Sequence, residues 1–384
     1  MKNIILYGSW QTKNIGDIAH TPGFLSLAKE FLPEEEYSIT LWPCALDRGV
    51  REMLLKNFPS LRIVEEEEEV KKAFAQCDLF IHGSCPYPNA GGVNYFRQHS
   101  SKPYGFYGIS ADGFWSEERR ELLDNASFIF CRDSISEHFL HQQSLRCPRI
   151  AFTPDSTFAL RLEPESNAED FMRENGLEEG KFLCVIPRLR WTPTSFDEEN
   201  FYYKDEKREQ ATLQRLEEDM AKMRSLICSV VEKSDLKVLI CPEMTYQVPL
   251  GRRYLYDRLP EKIRSRVVLK REYWITDEAQ SLYSKAHSLL SMEMHSPIIF
   301  ITQGKPAILL RQAEDTVKGQ MWRDVGLQKW IFELNVTSPE EVEKSLLEII
   351  EEYPAALQCA EKARSYAWEV AEERFAFIRD LLKK

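Results

Sequence analysis

Residues 288–306 read SLLSMEMHSPIIFITQGKP. Four residues suited to a buried strand run into a short polar turn, an apolar stretch of helix length follows, and Gly304-Lys305-Pro306 ends it. Strand, turn and helix in that order make one βα unit. In open parallel sheets the turn beyond the carboxyl end of a strand faces the ligand crevice. His295 stands on that turn, where an imidazole can give or take a proton near neutral pH, with Ser296 beside it.

Working outward, strand candidates lie at 182–186, 237–241, 266–269 and 307–310, and helices at 219–232 and 277–286. Lys318 follows the last of these strands and can offer positive charge to a phosphate. An earlier series of β-branched or aromatic runs, at 3–7, 38–42, 61–64, 78–82, 105–109, 128–131 and 150–152, is separated by polar segments of helix length. Such alternation predicts mainly parallel sheets. The polar, acidic stretch 161–181 between the two series carries almost no strand signal. The expectation is an α/β protein with two Rossmann-like, doubly wound domains facing across a cleft, at 1–165 and 180–336, and C-terminal helices at 337–384. Ser338-Pro339-Glu340-Glu341 has a cap residue, a proline at the first helical position and a glutamate three residues after the cap. The stripe Val342, Leu346, Ile349, continued by Tyr366, Val370, Phe377 and Leu381, faces a core.

Composition limits the partners. Fifty Lys plus Arg against 61 Asp plus Glu leave a net charge of −11, which argues against nucleic acid or anionic lipid as a general partner. No run approaches the ~18–20 apolar residues of a membrane span, so neither an integral membrane segment nor a secretory signal is expected. Nine cysteines without a Cys-x-x-Cys pair suggest a reduced, cytoplasmic chain. His82 and Cys85 are too few for a metal, and none is expected.

Further candidates follow the strands. Asn14, Gly16 and Asp17 open a helix, where free N–H groups suit an anion or an acceptor hydroxyl; Asp17 could equally be a cap. Arg132 ends the strand 128–131 and is placed to fork onto a carboxylate or phosphate, or simply to pair with Asp133. Asp155 repeats the pattern after 150–152. The long connection 187–209 holds Arg188, Arg190, Trp191 and Tyr202, cations and aromatic faces suited to an anion and a sugar.

In this order, Asn14-x-Gly-Asp17, Cys131-Arg-Asp-Ser-x-Ser136, Pro154-Asp155, Ser291-Met-x-x-His-Ser296, Gly304-x-Pro306 and Lys318 resemble the polysaccharide pyruvyl transferase family over residues 1 to about 330. The resemblance implies a GT-B-like fold and transfer of pyruvate from phosphoenolpyruvate to sugar hydroxyls as a ketal, with no cofactor. It implies that Arg132 and Lys318 bind the donor, with help from Ser296, Arg188 and Arg190, and that His295 is the general acid. Asp17 or Asp155 would be the base; Asn14, Gly16, Trp191 and Tyr202 would meet a sugar or glycan acceptor. Glu293 departs from the pattern, standing where many members carry Arg. A carboxylate ~4 Å from a donor anion would cost about 1–4 kcal/mol. The alternatives are a GT-B-like transferase using a nucleotide sugar and a non-catalytic glycan-binding homologue.

Overall fold

The computed structural model describes residues 1–111, 113, 116–193 and 205–383. Seven strands form one parallel sheet: β1 (Lys2–Gly8), β2 (Tyr37–Pro43), β3 (Arg62–Ile63), β4 (Leu79–His82), β5 (Tyr104–Ile109), β6 (Phe128–Cys131) and β7 (Ile150–Phe152), in the order β3-β2-β1-β4-β5-β6-β7. Six more form a second: β8 (Phe182–Ile186), β9 (Lys237–Ile240), β10 (Val267–Leu269), β11 (Ser288–Ser291), β12 (Ala307–Arg311) and β13 (Ile331–Glu333), ordered β10-β9-β8-β11-β12-β13. Every residue of β4, β5, β6, β8 and β11 is buried, as expected when helices cover both faces of a parallel sheet. This is the doubly wound pair anticipated above. Strand β13, three half-buried residues long, carried too little pattern to be read from sequence.

Strand order reverses between β1 and β4 in the first sheet and between β8 and β11 in the second, and ligands collect at such switch points. Asn14, Asp17, Arg188 and His295 follow the strands that border them, and Arg132, Asp155 and Lys318 follow strands farther out. Register decides which side chains meet. Ser291 pairs with Ile186, so Glu293 and Arg188 each lie two residues beyond the paired ends of β11 and β8.

The C-terminal helices tie the two halves together. Ser338 and Glu341 form the expected reciprocal cap on Pro339–Glu351, and a second helix, Tyr353–Lys383, returns to the first sheet. The face expected from sequence is displaced: Tyr366 is exposed and Val370, Phe377 and Leu381 are only half-buried. The buried stripe is Ala356, Ala360, Ala363, Ala367 and Ala371, continued by Phe375, Ile378 and Leu382, because small side chains let this helix pack closely. Phe375 packs against Phe24 and Tyr107, and the Arg374 Nε donates to the Phe152 carbonyl.

His82, at the end of β4, is structural. Its Nδ1 lies 2.8 Å from the Gly83 carbonyl and its Nε2 accepts the Asn89 N–H, while burial pushes its pKa down to about 4. Both ring nitrogens are therefore taken by backbone.

Candidate active site

The helix Ile15–Phe31 starts at a seam between the sheets. Ile15 N–H donates to the Glu243 carbonyl (3.0 Å), Thr245 N–H to that of Lys13 (3.2 Å), and Thr276 Oγ1 to that of Ile15 (2.7 Å). Asn14 is the cap: its Oδ1 accepts from the N–H groups of Gly16 and Asp17. Asp17 is thereby released from capping and lines a cavity of about 180 Å³ at the seam. Gly16 touches His295, because a Cβ built at position 16 would fall 2.2 Å from the His295 Cβ. Gly16→Ala must push the imidazole aside, and a ~1 Å misplacement of a reacting group can cost about 10²-fold. We expect such a loss of kcat in Gly16→Ala, with circular dichroism unchanged; near-normal turnover would show that His295 tolerates displacement.

The cavity wall holds Asp17, Arg132, Arg188, Glu293, His295 and Lys318. Arg132 is 1% exposed; its Nε donates to Ser110 Oγ (2.9 Å) and its Nη1 to Asp155 Oδ2 (3.0 Å), while its Nη2 has no partner among the described residues. The pairing with Asp133 weighed above is not formed: Asp133 caps the helix Ser134–Gln142 instead. A buried guanidinium with one N–H pair unclaimed is prepared for an anion. Half-buried Lys318 has its pKa lowered by burial and then by Arg188 and Arg132, the other two cations of the cavity wall. A clasp keeps two of them in place: Ser134, just beyond Arg132, donates its N–H and Oγ to Asp324 (both 2.7 Å) on the helix Lys318–Asp324.

Arg188 pairs with Asp315 and lies 3.3 Å (Nε to Oε1) from Glu293. Burial opposes its charge, but these two carboxyls outweigh burial. Glu293 is the reverse case: burial raises its pKa to about 8, despite Arg188, and Gln247 donates to its Oε1 (2.8 Å). The upward shift lessens the negative charge beside the cavity, which weakens the repulsion anticipated from sequence.

His295 meets a second histidine. Its Nε2 lies 3.2 Å from the Nε2 of His20, which also sits 3.3 Å from Asp155 Oδ2. On the other side, His295 Nδ1 is 3.7 Å from Glu243 Oε1. Burial works against protonating His295, yet Glu243, Asp155 and Asp17 together raise its pKa. Burial likewise opposes the charge on Asp17 and Asp155; the histidines, with Lys318 for Asp17 and Arg132 for Asp155, hold both below the usual carboxylate range. Asp17, His20 and His295 bring ligand-type atoms within 4.8 Å of one another, the one metal-capable trio among the described residues.

Other sequence candidates lie elsewhere. Ser296 is fully buried, its N–H donating to Glu243 Oε2 (2.7 Å) and its Oγ accepting from Tyr283 (3.2 Å), so it positions the carboxylate facing His295 and does not line this cavity. Asp155 supports Arg132 from behind. Arg190 is consumed by Asp219, through two bonds of 2.7 and 2.8 Å, and by Asn335 (2.7 Å). Trp191 lies under the Arg208 guanidinium (4.5 Å) and lines an outer part of the cleft, about 310 Å³, that shares Arg132, Arg188 and Lys318 with the inner cavity. Tyr202 falls outside the described residues. Sequence reasoning passed over His20, Glu243 and Asp315. His20 was within reach, since three residues beyond Asp17 a helix returns to the same face.

The sequence profile of the polysaccharide pyruvyl transferase family matches residues 14–313. The chain belongs to this family, and it is a transferase. Comparison with curated proteins finds no match. Among solved structures the pyruvyl transferase chain is similar to Staphylococcus aureus MnaA with UDP (13% identity, TM-score 0.61, 100% of this chain and 98% of that one). It is also similar to UDP-GlcNAc 2-epimerase of Neisseria meningitidis bound to UDP-GlcNAc (14%, 0.58, 100% of both). A third likeness is to Anabaena Alr3699/HepE with UDP and glucose (10%, 0.58, 99% and 100%). At these identities the likeness speaks for the GT-B-like fold. No helix among the described residues is long and apolar enough to cross a membrane.

Proposed function

We propose that this transferase moves pyruvate from phosphoenolpyruvate onto two hydroxyls of a sugar or glycan, closing a cyclic ketal and releasing phosphate. The observation that carries the reading is the convergence of Arg132, Arg188 and Lys318 on one cavity whose wall also holds His295 and ionised Asp17. The unclaimed Nη2 of Arg132 and the Lys318 ammonium suit the donor's phosphate and carboxylate. Protonation of the methylene carbon by His295 builds positive charge on the neighbouring carbon, where the first hydroxyl adds. Phosphate departs carrying the first hydroxyl's proton, the second hydroxyl closes the ring, and Asp17 takes its proton. Guanidinium and ammonium groups neutralise the donor, so the scheme needs no further cofactor. Nine free thiols fit a reducing, cytoplasmic setting.

The test is phosphate release from phosphoenolpyruvate with a panel of glycosides. We expect release that depends on an acceptor, and phosphoenolpyruvate at 100 times its Kd should stabilise the fold by about 2.7 kcal/mol. A nucleotide sugar that stabilises the protein where phosphoenolpyruvate does not would favour the second reading, a sugar-nucleotide donor reaching into the outer cleft beside Trp191.

Glu293 makes donor binding pH-dependent. Its raised pKa keeps it neutral below about 8 and lets it ionise above, beside the donor anion. KM for phosphoenolpyruvate is expected to rise above that pH in the wild type and to stay flat in Glu293→Gln; identical profiles would mean that Arg188 already holds Glu293 ionised.

A further inference from the structure

His20 carries chemistry that the scheme above leaves unused. It projects from the helix Ile15–Phe31, 3% exposed, and meets His295 edge-on across the seam, the ring planes 79° apart. We propose that His20 is a positioning residue that shares a single proton with His295 and Asp155, and through it the general acid is reloaded in each catalytic cycle.

The argument is a count of lone pairs. Each neutral imidazole has one N–H and one lone pair. Two Nε2 atoms 3.2 Å apart therefore hold one proton between them. With none, lone pairs oppose; with two, N–H groups collide. Asp155 Oδ2, 3.3 Å from the same His20 nitrogen, brings a third acceptor to that proton. The other ring nitrogen of His20, Nδ1, is buried with no hydrogen-bond partner among the described residues. His82 shows the contrast, because two backbone groups lock its tautomer. At His20 only Nε2 is engaged, by Asp155 and His295, and no group among the described residues holds Nδ1, so its ring can exchange which nitrogen bears hydrogen as the proton moves.

The surrounding charges favour that traffic. Asp17 faces the pair from the same helix, Asp155 and Arg132 from beyond β7 and β6, and Glu243 from beyond β9. Glu293, Arg188 and Lys318 stand on the cavity side. Ketal formation frees two hydroxyl protons; one ends on the methylene carbon and the other leaves with phosphate. His295 thus loses one proton per cycle and must regain one. The proton that Asp17 takes from the closing hydroxyl passes to His20, and the imidazolium so formed hands the bridging proton from its Nε2 to His295 Nε2, which leaves His20 neutral. The catalytic part of this inference rests on the pyruvyl-transfer reading; the proton count does not.

Two measurements on the full chain test it. In protein labelled with 15N-histidine, an NMR pH titration should show His20 and His295 titrating as one coupled unit. In His20→Gln, which keeps a hydrogen-bonding side chain but cannot accept the proton, kcat should fall about 10–100-fold with KM for phosphoenolpyruvate within twofold. The basic limb of the kcat profile should move to lower pH, and in His20→Ala added imidazole should restore part of the rate. Independent titration of the two wild-type rings would overturn the proposal even if no variant folds. So would an unchanged kcat profile in His20→Gln, or a stoichiometric metal ion held by both rings on elemental analysis. Coupled rings without turnover of phosphoenolpyruvate would sink the functional reading alone.

Discussion

Replacing His295 by glutamine is expected to lower kcat for phosphate release by about 10²–10⁴-fold, the usual worth of a positioned general acid. Glutamine can still hydrogen-bond to His20 and Glu243, which flank the imidazole at 3.2 and 3.7 Å, so the seam should stay closed. What it cannot do is deliver a proton to carbon. KM for phosphoenolpyruvate should change little, because the donor's charge is met by Arg132, Arg188 and Lys318. Steady-state phosphate release in wild type and variant decides the matter; a kcat within tenfold of wild type would remove His295 from the chemistry.

Arg132 should show the largest combined effect on binding and stability. Its guanidinium serves Ser110 and Asp155 and still has Nη2 to offer. Arg132→Lys keeps the charge but loses the fork, so one ammonium must choose between Asp155 and the donor. We expect KM for phosphoenolpyruvate to rise about 100-fold, in line with a lost charge-assisted bond of ~1.5–3 kcal/mol. Arg132→Ala leaves Asp155 buried without its guanidinium, and breaking a buried pair costs about 3–5 kcal/mol. Urea denaturation checks the second figure. A stability loss below 1 kcal/mol would mean that His20 alone satisfies Asp155.

Much of the fold was legible because parallel strands buried on both faces leave short runs of β-branched and aromatic residues, and twelve of the thirteen strands among the described residues coincide with such runs. The exception, Ile331–Glu333, is an edge strand held by β12 alone. The cap at Ser338 was equally visible, since a capping box is local chemistry. Asn14, Asp17, Arg132, Arg188, His295 and Lys318 all proved to line one cavity, as expected of residues following strand ends. Arg190 and Ser296 obey the same rule of position but do not line that cavity: Asp219, Asn335 and Glu243, all distant in sequence, claim polar atoms of theirs, and Arg190 lines the outer cleft instead.

The sequence by itself determined the two sheets, the turns that carry chemistry and the cation and imidazole types found there, because periodicity, caps and strand ends are properties of neighbouring residues. Only the tertiary structure decided that burial raises the pKa of Glu293 beside Arg188, that Arg132 keeps one N–H pair unclaimed, and that His20 faces His295. Burial and pairing between residues up to 275 positions apart set those states, and neither is encoded in any local stretch of the chain.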